Sequence, residues 1–405
     1  MPNLVFYFHL HQPYRVKQYN IFSVGKDHDY WREDTWQADT SNERIFKKVA
    51  TKSYRPMLKI LEKSLSLYPD FCFSISLTGT FLEQALAFAP DLIDTLKRLS
   101  KTGRMEIVAE TYYHSLAFFF DQKEFEQEVE LHLKMVQKYF QQRPRVFRNT
   151  ELAYDDSLAL WAEQHHFKAV LAEGWDKILA WRSPNLVYRA AGTKNLRLLL
   201  KNYRLSDDIA FRFSDQNWSE WPLSVEKYQH WLEQASLKGP LLNLFMDFET
   251  FGENIWEDTG IFNFFEHLLY AWQQKPNHQF LTVSQAAALM PPVAELSMPH
   301  TVTWADSERD LSAWLGNDMQ KEAMRLIYEL KKPVLATKDP VILRDWRRLL
   351  TSDHPYYMTT KYFNDGDVHA YFSPYESPYD AFLYYMNALR DLRWRLDHAK
   401  TSRKH

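Results

Sequence analysis

Seven short apolar runs mark the first 250 residues, at 4–8, 71–77, 105–109, 146–149, 169–172, 196–202 and 241–246. They are continuously hydrophobic rather than alternating, which is the pattern of strands buried on both faces. The stretches between them are long enough for crossover helices. The clearest is 124–140, with Val129, Leu131, Leu133, Val136 and Phe140 on one broad face. Asp121, three residues before Glu124, fits its capping box with Asp in the place of Ser or Thr. Alternating strand and helix predicts an α/β fold with a parallel sheet. The periodicity allows either a closed barrel or an open doubly wound sheet. After about residue 300 the pattern changes to helical stretches at 318–331, 339–350 and 378–400, with Tyr371-Phe372 a candidate short strand and 400–405 a frayed tail.

A chain of 405 residues exceeds the roughly 250 of a single barrel, which leaves room for a second, helical domain. The formal net charge is −3 and Lys and Arg do not cluster, so a nucleic-acid partner is not expected. No stretch approaches the ~20 apolar residues of a membrane span, and the first nine residues lack a signal-peptide pattern. Cys72 is the single cysteine, inside an apolar run, and reads as a buried strand thiol. These features together predict a cytoplasmic protein without a membrane partner. Aromatic residues make up 16%, which serves either core filling or stacking on sugar rings.

In parallel α/β folds the chemistry sits at the C-terminal ends of strands. Four such ends are rich in ionisable groups. His9 and His11 are two apart after the first run, so in extended backbone they point the same way. Substrate hydroxyl binding, metal ligation and a pair of hydrogen-bonded loop histidines all fit them. Glu83 follows the second run, where a first-turn helix role and a sugar-orienting role are both open. Glu151 lies just beyond the fourth run with Arg148 nearby, a charge that favours its ionised form or simply pairs with it. Asp247 and Glu249 flank Phe248 at the end of the most hydrophobic run. A carboxyl group held in such an apolar setting has its pKa raised, which suits a general acid near neutral pH. Paired carboxylates from different strands are the minimum for glycoside hydrolysis.

Taken together, the segments His11-Gln12-Pro13, 79–83, Asn149-Thr150-Glu151-Leu152, Asp247-Phe248-Glu249-Thr250-Phe251-Gly252 and 304–317 resemble the five motifs of glycoside hydrolase family 57, in its α-amylase-like branch. The resemblance spans nearly the whole chain. It implies an incomplete (β/α)7 barrel over residues 1–295, then a C-terminal α-helical bundle domain over 296–405 that helps close the active-site cleft. It further implies a retaining enzyme without cofactor or catalytic metal, acting on an α-glucan or maltooligosaccharide as α-amylase or 4-α-glucanotransferase. Glu151 is then the nucleophile and Asp247 the general acid/base. The substrate-binding candidates are His9, His11, Glu83, His114, Trp175, Asp207, Glu249, Trp256, Asp310 and Trp314. For Trp314, core packing between Leu311 and Leu315 fits equally. One departure concerns residues 147–150: several branches carry a Trp shortly before the nucleophile, and this chain has Phe-Arg-Asn-Thr.

Two other classes fit the same residues. In a metal-dependent carbohydrate deacetylase or α-mannosidase-like enzyme, His9, His11 and Asp247 would be ligands. In a non-catalytic α-glucan-binding homologue, the carboxylates would serve binding alone.

Overall fold

The computed structural model describes residues 1–361 and 372–401, so the candidate strand at Tyr371-Phe372 and the end of the tail lie outside or at the edge of the described residues. Its strands are β1 (Asn3–Leu10), β2 (Phe73–Leu77), β3 (Met105–Ile107), β4 (Val146–Phe147), β5 (Ala169–Glu173), β6 (Tyr188–Ala190), β7 (Arg197–Lys201), β8 (Leu241–Asp247), β9 (Gln279–Phe280) and β10 (Glu295–Leu296). All seven expected runs form strands. One sheet has the order β3-β2-β1-β8 with β9 also on β1; the other runs β10-β6-β7-β5-β4. Every pairing is parallel except β6 with β7. The fold is therefore α/β with parallel strands and crossover helices.

The chain divides into two compact units. The first comprises Met1–His11, Lys47–Glu110 and His132–Trp304 and holds all ten strands. All eight residues of β1 are buried, as expected for a central strand covered on both sides. Its alternate side chains go opposite ways. Val5 and Tyr7 join Ala169, Leu171, Leu199, Leu241 and Phe245 in one apolar cluster. Phe6 and Phe8 pack instead on Phe265, and Phe8 also on Phe73, Phe248 and Phe251. Each such aromatic contributes roughly 1.5–3 kcal/mol through burial. The two sheets are stitched together at both seams. Ala109 bridges Phe147 in parallel fashion, with Ala109 N–H on Val146 O at 2.9 Å and Arg148 N–H on Ala109 O at 2.8 Å. At the other seam Asn202 N–H reaches Asn243 O at 2.9 Å, and Asn243 Nδ2 reaches Leu200 O at 2.9 Å. Cys72, 5% exposed, precedes β2, and burial pushes its thiol up to about 12.

The second unit comprises Gln12–Phe46, Thr111–Leu131 and Ala305–His405. The single division expected between residues 295 and 296 is thus drawn differently: the break falls after Trp304, and two earlier segments join the helical part. Their apolar residues explain it. Tyr14, Val16, Tyr19, Tyr30, Trp31 and Leu116 share one core with Trp314, Trp346, Leu389 and Leu392. The stretch expected at 318–331 forms the helix Asp318–Glu329, and a separate helix, Lys331–Thr337, follows it, with Pro333 in its first turn, where a proline is tolerated. Asp121 accepts from Glu124 N–H at 3.0 Å at the start of the helix Gln122–Phe140, as its capping position predicts.

Candidate active site

Six strand ends of the first unit, those of β1, β3, β4, β5, β7 and β8, carry the ionisable side chains of the site. β1 delivers His9, whose ring lies between two carboxylates: Nδ1 is 3.4 Å from Asp247 Oδ1, and Nε2 is 3.1 Å from Glu110 Oε2. The register aligns His9 with Asp247 across β1 and β8, which explains the first contact. His11 stacks on His9 with centroids 5.8 Å apart, so the two rings do share a side. Its Nδ1 sits 2.9 Å from Thr78 Oγ1, the N-cap of the helix Gly79–Phe88 that carries Glu83.

Glu151 emerges four residues after β4, in a short turn that forces Glu151 and Leu152 into left-handed backbone, φ 57° and 54°. Two consecutive non-glycine residues in that region cost on the order of 1–2 kcal/mol each. The segment before Trp304 pairs with the chain just after this turn. Tyr154 and Val302 exchange backbone hydrogen bonds of 2.9 Å in both directions. Trp304 then lies against Glu151, and its Nε1–H donates to Glu151 Oε2 at 3.0 Å.

Trp304 joins the two carboxylates of interest. Its ring meets His9 edge to face with centroids 6.3 Å apart, and His9 holds Asp247. Arg148 lies over the indole at 4.8 Å and Lys201 at 5.5 Å. Arg148 Nη1 is 3.9 Å from Glu110 Oε2. Lys201 Nζ is 2.9 Å from Asp207 Oδ1 and 3.9 Å from Glu173 Oε2. A continuous path of side chains thus runs from Asp247 through His9 and Trp304 to Glu151.

Of the two acids at the end of β8, Glu249 is the more enclosed, half-buried, whereas the side chain of Asp247 is 42% exposed. Glu249 accepts from Tyr54 O–H and from the His11 backbone N–H. Burial, then the charge of Asp247, pushes it up to about 8 against those two hydrogen bonds. Beyond it Gly252, at φ 99°, closes the turn.

The remaining candidates distribute as follows. Asp207 enters the cluster through Lys201. Trp175 and Trp256 lie on the loops after β5 and β8, with Lys177 4.8 Å and Lys52 5.4 Å from their rings. His114, Asp310 and Trp314 belong to the second unit. The sugar-stacking reading of Trp314 is corrected: at 1% exposure its ring is core, with neither face open. Asp310 lies just before the helix Ser312–Leu315 and accepts from Ser312 N–H at 2.8 Å. Trp304, Glu110, Lys201 and Tyr54 were not singled out as site residues from the sequence. Trp304 appeared only as the first residue of the fifth motif. A fully buried charge such as Glu110 has no sequence signal apart from its place beyond β3.

Parallel strands whose ends converge carboxylates, imidazoles and an indole define an α/β enzyme scaffold of the acid/base type. The model of glycosyl hydrolase family 57 matches residues 5–299, and the chain belongs to that family. A Methanocaldococcus jannaschii relative, named provisionally as an α-amylase, is 39% identical over 403 residues, 96% of this chain and 84% of that protein. Among solved structures, the family 57 branching enzyme of Thermococcus kodakaraensis superposes with a TM-score of 0.67 at 15% identity, over 89% of this chain and 86% of that one. The 4-α-glucanotransferase of Thermococcus litoralis gives 0.63 at 17% identity, over 87% of this chain; this chain spans 56% of that protein's length.

Proposed function

We propose that this protein is a retaining glycoside hydrolase or transglycosylase of α-1,4-glucans, with Glu151 as nucleophile and Asp247 as general acid/base. The observation that carries the reading is the Asp247–His9–Trp304–Glu151 path, in which the acid after β4 is bonded to the indole and the acid at the end of β8 is bonded to the imidazole that packs on that indole. The two seams between the sheets support an incomplete (β/α)7 barrel built from β1–β5, β7 and β8. The single, buried cysteine supports a cytoplasmic setting.

In the first half-reaction the Glu151 carboxylate attacks the anomeric carbon while Asp247 gives its proton to the departing glycosidic oxygen. A covalent glycosyl-enzyme results. In the second, Asp247 takes a proton from water or a sugar hydroxyl, whose oxygen displaces Glu151 from the same carbon. Two inversions retain configuration. His9 fixes the orientation of Asp247, and Trp304 fixes that of Glu151. In the metal-dependent alternative His9, His11 and Asp247 would be the ligands.

Incubation with maltooligosaccharides, scoring released reducing ends and longer oligomers, tests the reading. Glu151→Ala is expected to lower kcat by roughly 10³-fold or more. Asp247→Ala is expected to spare glycosylation by substrates with good leaving groups, because these need no proton. Equal loss on activated and natural substrates removes Asp247 as the acid. Stoichiometric zinc with chelator-sensitive activity would favour the alternative.

A further inference from the structure

Arg148 is 0% exposed, yet none of its three guanidinium nitrogens has a hydrogen-bond partner among the described residues. Its one ion pair among the described residues, to Glu110, is 3.9 Å long, and Glu110 is shared with His9 at 3.1 Å. Burying a cation so sparsely compensated costs several kcal/mol, and an apolar side chain of similar volume would stabilise the fold better. Its location offers an explanation. The guanidinium lies 4.8 Å from the centre of the indole whose N–H donates to Glu151. A cation on an aromatic face draws electron density from the ring and strengthens its N–H as a donor. A positive charge in low dielectric also favours a nearby carboxylate over the neutral acid.

The balance of charges around Glu151 makes this consequential. Two cations, Arg148 and Lys201, flank Trp304. Against them stand Glu110 beside Arg148, Glu173 and Asp207 beside Lys201, and Asp247 beside His9. Lys201 is already held between two acids. Removing Arg148 leaves an acid-rich surrounding in which a further carboxylate resists ionisation.

We infer that Arg148 is a positioning residue for Glu151, acting through Trp304 to keep its carboxylate ionised and aimed. This rests on the reading of Glu151 as nucleophile. The test is a carboxyl ¹³C NMR titration of the full chain labelled at glutamate, with the Glu151 signal assigned by its loss in Glu151→Gln. It is run alongside pH profiles of kcat/KM on maltooligosaccharides. Arg148→Met is expected to move the Glu151 titration and the acid limb of the profile up by about one pH unit, a tenfold loss at the acid end. Arg148→Lys, which keeps the charge, is expected to restore most of it. Trp304→Phe, which keeps the ring and removes the donor, is expected to move both in the same direction by less. An unmoved Glu151 titration in folded Arg148→Met overturns the inference. Should that variant fail to fold, an unmoved titration in Trp304→Phe does so. A wild-type chain that turns over no α-glucan would sink the proposed function instead, and the titration would still decide the role of Arg148.

Discussion

Asp247 and Glu249 leave one strand end two residues apart, and their surroundings divide their work. Asp247 is open to an incoming substrate, whereas Glu249 is clasped by Tyr54 and the His11 backbone and pushed up to about 8. In the unfolded chain Glu249 titrates near its ordinary 4.5. Between those values the unfolded state gives up a proton that the folded state keeps, so stability declines as pH rises through this window. Glu249→Gln is expected to abolish that decline. Its stability should match or fall slightly below wild type at pH 5 and exceed it at pH 8, by a margin on the order of 1–3 kcal/mol. Thermal melts at the two pH values check this; a difference independent of pH would refute it.

At the scale of elements, the turn after β8 depends on one glycine. Gly252 sits at φ 99°, and a methyl group there would meet the Lys52 carbonyl oxygen and the Phe262 ring. Its N–H also bonds to Ile255 O at 2.8 Å, which closes the loop carrying Asp247, Glu249 and Trp256. Gly252→Ala is expected to cost at least ~2 kcal/mol and to lower kcat by displacing Asp247. Denaturant melts and kinetics on one preparation would show both, and an unchanged midpoint would contradict the strain argument. The strands were legible at this scale for a simple reason. Two-sided burial writes an uninterrupted apolar run, and β1, β5, β7 and β8 each do so. β9 and β10 have two residues each and carry no such run. The three-residue β6 was missed because its middle residue, Arg189, faces outward and breaks the apolar pattern. The acids at strand ends were visible because polar residues there interrupt the run abruptly. Trp304 was not visible as a partner of Glu151, because 153 positions separate them and no local pattern encodes that meeting.

For the whole molecule, the apportioning of segments between the units was beyond the reach of periodicity. An amphipathic pattern says that a face is buried, never against which core. Tyr14–Trp31 and Leu116 had to be seen packed beside Trp346 to be assigned. The second unit also buries titratable groups. Glu128 is pushed up to about 8 by burial and by neighbouring Glu124. Burial lowers His354 to about 4. Glu128 acts like Glu249: stability falls as pH rises from its ordinary 4.5 to about 8. His354 acts oppositely, because below its ordinary 6.5 the unfolded imidazole binds a proton that the folded one refuses. Burial lowers His132 and His278 as well, so below pH 6.5 three histidines oppose the two acids, and above 6.5 the acids act alone. The melting temperature of the intact chain is therefore expected to fall between pH 6.5 and 8. A profile that is flat or rising over that interval would contradict it.

Cys72 has a practical consequence for watching these events. It is sequestered beside β2, and its proton is held too tightly for a reactive thiolate at neutral pH. A second cysteine engineered at an exposed position, such as that of Trp181 at 88% exposure, would thus be the one sulfur that maleimide dyes reach. A fluorophore or spin probe could then be attached to the otherwise native polypeptide, with no background labelling to subtract.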